Sequence, residues 1–366
     1  MNKEATRFIE AVSKYSSIAI YIPGSPDPDA IASAFAIKMI LKHHSIDSDI
    51  FAEKRLSLTQ NQAFIDKLKI PLIFDKDIDI SKYEAYIVPD FQNNRIENIS
   101  DKIPCAAHID HHAKSEDSLK ADFSLLRTDS GSTSTLVALI IKNLVIDLTE
   151  EEMVSMATAL TIGIYTDTDR YNNITSLDIE ALNFLSEFAD WRILQSISNI
   201  PVSPETLLYY NEAKLNEVVY KGWGIYGIGY IDAKNRDSIA ISADMILNKS
   251  DHKVVAVFAI VENYRTWEMY LDVSLRSNSK SVDLNRVIKR ITPNGGGRRY
   301  KGAYQVKLDY FLNAPDRDML WQVVEATTIE TLRRSRDALY ITGIENLYSG
   351  IKDKVLSYFK KSDEIS

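Results

Sequence analysis

The chain has 366 residues, 45% hydrophobic and 26% charged, the composition of a globular protein too long for one ordinary core. A net charge of −8 argues against a protein that coats long nucleic acid through a broad basic face, but leaves room for a small phosphorylated substrate held through bound cations. One cysteine, Cys105, excludes an internal disulfide framework and fits a reducing cytoplasm, and apolar runs no longer than "VVAVFAIV" (254–261) exclude a membrane span.

In chain order, "MNKEATRFIEAV" lacks the apolar stretch of a signal peptide and reads as an amphipathic helix. "SIAIYI" (17–22) reads as a strand, and "DAIASAFAIKMILKHH" (29–44) as a helix with an apolar stripe. "SDIFAE" (48–53), "AYIVP" (85–89), "IPCAAHI" (103–109) and "DFSLLR" (122–127) are further strands. Cys105 lies in the third of these runs and reads as a small core residue. Helical patterns follow at 132–144 and 149–163. Buried runs separated by helices predict an α/β domain, a mostly parallel sheet with helices on both faces, over residues 1–190.

Residues 191–220 read as a helical, polar connection broken at "NIPVSPE". A smaller α/β domain is expected over 221–325. Its strands are "GIYGIGYID" (224–232), "KVVAVFAIVE" (253–262), "WEMYLDVSLRS" (267–277) and "AYQVKLDYF" (303–311). Its helices lie at 242–249 and 282–291, and the glycine-rich stretch "NGGGRRYKG" at 294–302. Residues 326–366 form a charged helical extension in which no chemistry is legible.

The chemistry concentrates elsewhere. Only six histidines occur, and three fall within "HIDHH" (108–112). Acidic residues recur after the predicted runs: Asp27 and Asp29 in "SPDPDA", Asp90 after "AYIVP", and Asp167 after "ATALTIGIY". Loops at the carboxyl ends of parallel strands converge on one crevice, so Asp27, Asp29, Asp90, His111 and Asp167 are expected to meet there. Four carboxylates gathered without cations would repel and protonate. With an imidazole around a pair of divalent ions they would be stable, and they suit Mn²⁺ or Mg²⁺ better than Zn²⁺.

"SPDPDAIAS", the aspartate of "VPD", "DHH" and "GIYTDT", in this order, resemble the motifs of the DHH phosphoesterase superfamily. "GGGRRYKGA" (295–303) resembles the glycine-rich motif of its DHH-associated C-terminal domain. That group includes RecJ, oligoribonucleases of the NrnA type, cyclic-dinucleotide phosphodiesterases and family II inorganic pyrophosphatases. The resemblance implies an active site in a cleft between the two domains and a two-metal hydrolase of short nucleotides or phosphorylated small substrates. It implies that Asp90 bridges two ions about 3.5–4 Å apart. Asp27 would belong to one ion, and Asp29, His111 and Asp167 would hold the other. Asp110 would orient His111, and His112 would touch the substrate phosphate or assist the leaving group. Gly295, Gly296 and Gly297 would let the backbone approach a phosphate or a terminal nucleotide, with Arg298, Arg299 and Lys301 supplying charge.

Two positions depart from the pattern. The superfamily carries a histidine three residues before the proline of "PD", where this chain has Pro23, and Arg298 stands where the glycine motif carries another histidine. One of the two ions is therefore expected to bind weakly. His108 is either a strand histidine satisfied by a backbone carbonyl or a substitute ligand, and Ser25 or water could also fill the gap. The alternatives are a nucleotide-binding module with weak turnover, and an exopolyphosphatase or pyrophosphatase. No membrane partner and no long duplex nucleic acid are expected. Homodimer formation is left open.

Overall fold

The computed structural model describes the chain except residues 25, 55, 57–58, 75–77, 92–94, 113–118 and 363–366; for residues 59 and 340–362 it describes the backbone alone. The described residues form two compact units, Met1–Pro201 and Val202–Ser366. The division falls inside the stretch read as a helical connection. Among the described residues no helix is long and apolar enough to cross a membrane.

The first unit runs α1 (Asn2–Val12), β1 (Ser17–Ile22), α2 (Pro28–His43), β2 (Asp47–Ala52), α3 (Thr59–Leu68), β3 (Leu72–Phe74), β4 (Ala85–Pro89) and β5 (Cys105–Asp110). It continues with β6 (Ala121–Leu126), α4 (Thr133–Lys142), α5 (Glu150–Asp167), α6 (Ser176–Leu185) and α7 (Trp191–Ser198). The strands form one sheet in the order β3-β2-β1-β4-β5-β6, and every pairing is parallel. The order reverses between β1 and β4, the position at which open parallel sheets leave a crevice beyond their carboxyl ends.

The runs are continuous rather than alternating because both faces of the sheet are covered: β4 and β5 are buried at every residue. One face packs Ile18, Ile20 and Ile22 of β1 against Ile31, Phe35 and Ile37 of α2 and against α4 and α5. Each such fully buried aliphatic side chain contributes about 1.5–3 kcal/mol relative to exposure. The opposite face carries Tyr21, Phe51, Tyr86 and Val88. It is closed by Ile80, Tyr83, Ile96, Ile99 and Leu119, none of them in an α-helix. Where the run pattern suggests helices on both faces, the described residues that cover this second face lie in turns, irregular segments and a 3-10 segment.

Gly163 of α5 marks a close approach. A Cβ there would lie 2.1 Å from the Ser134 hydroxyl of α4, so glycine lets those two helices meet.

The second unit contains α8 (Pro204–Leu215), β7 (Glu217–Tyr220), β8 (Trp223–Asp232), α9 (Asp237–Lys249), β9 (Val254–Asn263), β10 (Glu268–Ser277), α10 (Leu284–Ile291), β11 (Gly296–Gly297), β12 (Lys301–Lys307) and α11 (Arg317–Ser362). Its sheet is mixed, in the order β11-β12-β10-β9-β8-β7, with β8 and β9 parallel across the α9 connection. Two buried layers hold it: Ile225, Phe258, Val273 and Val287 lie in one cluster, Tyr226, Ile239, Val257 and Ile246 in the other.

Candidate metal centre

Asp27 is the N-cap of α2, its Oδ1 accepting the Ala30 N–H at 2.9 Å, with Pro28 pre-set for the first helical turn. That capping bond fixes the loop after β1 and carries Asp29 inward. Asp29 is fully buried, and its two oxygens accept the N–H groups of Thr133 (2.8 Å) and Ser134 (2.7 Å) at the start of α4. Burial and the nearby Asp167 charge nonetheless push its carboxyl up to about 7. Two backbone donors do not offset the loss of water.

Asp90 follows β4 directly and adopts φ +55°, the left-handed region that costs a residue with a Cβ about 1–2 kcal/mol. Its N–H is anchored on the Ile109 carbonyl at 2.9 Å, and its Oδ1 accepts the Thr133 hydroxyl at 3.1 Å. Burial, then the charges of Asp27, Asp29 and Asp167, raise its carboxyl well above the ordinary range. Strain and mounting repulsion at one buried carboxylate mark a position held for a function rather than for folding.

β5 delivers the histidines. His111 Nδ1 lies 3.2 Å from the Ser130 carbonyl. Its Nε2 lies 2.9 Å from Asp167 and 3.6 Å from Asp90. A neutral ring with its proton on Nδ1 offers Nε2 as a ligand atom. Asp110 bonds His112 rather than His111: its Oδ1 accepts Nδ1 at 2.7 Å and the His112 N–H at 3.2 Å. Burial opposes ionisation of Asp110, but the His112 hydrogen bond and charge outweigh it and hold the carboxyl below its usual value. The residue that orients His111 is therefore Ser130, through its carbonyl.

Asp167 is the last residue of α5, not a strand-end residue. The helix outruns the 149–163 pattern and places the carboxylate at a helix carboxyl end, where the dipole favours a cation. The next turn is unusual, with Asp169, Arg170 and Tyr171 at φ +54°, +57° and +66°. Backbone bonds from Arg170 to Tyr165 (2.8 Å) and from Asn173 to Thr168 (2.9 Å) close it.

Among the described residues, two groups of three have ligand atoms within 4.8 Å of one another: Asp90 with His111 and His112, and Asp29 with His111 and Asp167. The donor set, carboxylate oxygens and imidazole nitrogen without a thiolate, fits Mn²⁺ or Mg²⁺. The residue common to both groups is His111, whereas the resemblance puts the shared role on Asp90. Asp27 is in neither group, yet contributes the largest carboxylate repulsion at Asp90.

His108 does not reach this set. Its Nε2 meets the Phe91 carbonyl at 2.6 Å, and its Nδ1 is buried without a hydrogen-bond partner. Of the two readings, the strand histidine satisfied by a carbonyl is the one the geometry gives. Ser25 lies outside the described residues. Pro23 offers no donor, and the Gly24 N–H beside it goes to Glu53 at 2.7 Å.

The start of α4 agrees with the helical pattern at 132–144, but that pattern does not mark its residues as part of the site. Thr133, Ser134 and Ser130 contact Asp29, Asp90 and His111, and Ser132 caps the helix. The run "SGSTST" before an apolar stretch is a helix-start signature that could have flagged them. Asp178 locks this loop from behind, accepting the Gly131 N–H (3.0 Å) and the Thr135 hydroxyl (2.5 Å).

In the second unit, Gly296 and Gly297 form β11 and pair with Ala303 and Gly302. Gly297 has φ +156°, and a Cβ there would lie 2.3 Å from the Lys301 carbonyl oxygen. At Gly295 a Cβ would strike Ile288 and Tyr304. These two glycines are required by close packing of the hairpin itself. Around Gly296 the nearest atoms stand 3.7 Å off. The Arg298 N–H donates to the Lys301 carbonyl (2.7 Å), and the Arg299 guanidinium reaches the Lys280 carbonyl.

Residues 17–164 match the sequence profile described as DHH family, N-terminal domain. An uncharacterized protein of Methanocaldococcus jannaschii is 30% identical over 304 residues, 82% of this chain; the chain spans about 60% of the length of that relative. Among solved structures, an exopolyphosphatase-related protein from Bacteroides fragilis superposes with a TM-score of 0.69 at 18% identity, over 93% of this chain and 98% of the other. The fold is shared along nearly the whole chain.

Proposed function

Because residues 17–164 belong to the DHH family, we propose that this protein is a divalent-metal-dependent phosphoesterase acting on short nucleotide substrates. One observation carries the reading: among the described residues the buried side chains of Asp29, Asp90 and Asp110 have no Lys or Arg ion pair, and their partners are the Thr133 and Ser134 N–H groups, the Thr133 hydroxyl and histidines. A buried carboxylate group without a cation is unstable, so the cation comes from outside.

When bound, Mn²⁺ or Mg²⁺ supplies Lewis acidity and lowers the pKa of a coordinated water. Asp29, His111 and Asp167 would hold one ion, and Asp90 with Asp27 the other. Ser130 and the α4 N–H groups keep His111 and Asp29 aimed. Asp110 accepts a hydrogen bond from His112 Nδ1–H, which would leave Nε2 for the substrate phosphate or the leaving oxygen. Arg298 and Arg299, on the hairpin of Gly295–Gly297, would bind a substrate phosphate through bidentate guanidinium bonds.

Pro23 favours a second reading, a nucleotide-binding module with weak turnover, because that position supplies no ligand. A Mn²⁺-supplemented screen over short oligoribonucleotides, cyclic dinucleotides, 3′-phosphoadenosine 5′-phosphate and polyphosphate tests the proposal. Metal-dependent release of nucleotide product is expected. Binding without turnover across the whole series would favour the module.

A further inference from the structure

A cavity of about 430 Å³ has in its lining Phe91, the residue after Asp90, and Gly24, three residues before Asp27. Its walls come from the residues after β1 (Pro23, Gly24), after β2 (Glu53) and after β4 (Phe91, Ile96, Asn98). β1 and β4 are the strands between which the sheet order reverses, where an open parallel sheet presents its ligand crevice. Tyr21 and Ile96 belong to the apolar layer on the sheet face that carries Phe51, Tyr86 and Val88, so the cavity continues a built surface. The Phe91 backbone is held by the buried His108 at 2.6 Å, which keeps that wall in place.

The chemistry of the lining is selective. Tyr21, Pro23, Phe91 and Ile96 give apolar walls. Arg95 and Glu97 also line the cavity, the Arg95 guanidinium being matched by Asp101. Glu53 accepts one N–H from Gly24 through Oε2 and has no cationic partner among the described residues. A carboxylate here repels a second phosphate and accepts N–H donors. Resting on the nucleotide-hydrolase reading, we propose that this cavity holds the substrate's nucleobase and that Glu53 selects a base with adjacent N–H donors, guanine above the others. A guanine N1–H and N2–H pair matches a carboxylate, whereas adenine, cytosine and uracil each offer less. Inorganic polyphosphate offers no donor and is disfavoured.

The test is the ratio of kcat/KM for guanine- over adenine-bearing 5′-phosphorylated dinucleotides with Mn²⁺, in the unaltered protein and in Glu53→Gln. The ratio does not depend on the fraction of enzyme folded. The unaltered protein should favour guanine by about 10- to 100-fold, the range for a hydrogen bond to a charged group, and Glu53→Gln should remove most of that preference. A ratio near one, or one unchanged by Glu53→Gln, overturns the base pocket while leaving the hydrolase reading intact. If no nucleotide is hydrolysed, the activity reading fails and the pocket is judged by binding alone. Guanosine and adenosine are then titrated by NMR: guanosine binding that weakens in Glu53→Gln supports the pocket, and no binding of either nucleoside overturns it.

Discussion

The two units treat buried acids in opposite ways. In the second unit Asp272 is paired with Arg236 and also accepts Gln305, and Glu262 is paired with Arg317 at 2.7 Å. Each buried carboxylate there brings its own guanidinium, the ordinary solution for a charge out of water. In the first unit the side chains of Asp29, Asp90 and Asp110 are comparably buried, and among the described residues none has a guanidinium or ammonium partner, only N–H groups, a hydroxyl and histidines. The second unit's acids complete a fold. Asp29, Asp90 and Asp110 are left for an outside cation to complete, unlike Asp178 of the same unit, whose buried carboxylate is satisfied by the Gly131 and Thr175 N–H groups and the Thr135 hydroxyl.

The largest expected effect separates these two kinds of acid. Asp90→Ala should lower Mn²⁺-dependent hydrolysis by roughly 10²–10³-fold or more, since the carboxylate serves the reacting centre. It should leave the melting temperature of the metal-free protein unchanged or higher, because repulsion is relieved. A large fall in melting temperature would place Asp90 with the structural acids instead. Asp110→Asn comes next, with a loss of about 10- to 100-fold in activity, the range seen when a residue orienting an active-site imidazole is altered. An unchanged rate in steady-state assays would show that the Asp110–His112 bond is not needed.

In the second unit Arg236→Ala should cost roughly 2 kcal/mol by denaturant unfolding. That is less than breaking a fully buried pair, because Arg236 is partly exposed. Mn²⁺ uptake should be unaffected. A neutral outcome would remove the contrast drawn above. The smallest effect is in pH. Asp29 titrates near 7 when folded against an ordinary value near 3.8, so its contribution favours folding fully below about 4 and is lost as pH rises towards 7. The melting temperature of metal-free protein should decline over that window, and excess Mn²⁺ should flatten the decline. A rise across the window, measured by differential scanning calorimetry, would contradict the assignment of Asp29 as a carboxylate kept in an unfavourable place.

Much of this arrangement is legible in the sequence where the signal is local. β1 and β4 run over the residues that "SIAIYI" and "AYIVP" mark, because both are continuous apolar runs between turn residues. β3, β7 and β11 are not evident, being strands of two to four residues that exist through their partners. α5 outruns its apolar pattern because "YTD" continues the backbone ladder without contributing to the buried stripe. The carboxylates and histidines of the cluster stand out as residue types. Their partners do not: the Ser130 carbonyl and the Thr133 and Ser134 N–H groups are backbone atoms, and no side-chain identity announces them. The pairing of Asp110 with His112 rather than His111 is likewise decided by the turn after β5.

The central claim, that the acids of the first unit are held for divalent ions, is tested most directly by calorimetric titration of metal-free protein with Mn²⁺, beside Asp90→Ala and Pro23→His. The unaltered protein should bind two ions with unequal affinity, because Pro23 leaves one of them short of an imidazole. Asp90→Ala should lose at least one site, and Pro23→His should tighten the weaker one. No Mn²⁺ uptake by the unaltered protein, or an isotherm unchanged by Asp90→Ala, would contradict the account.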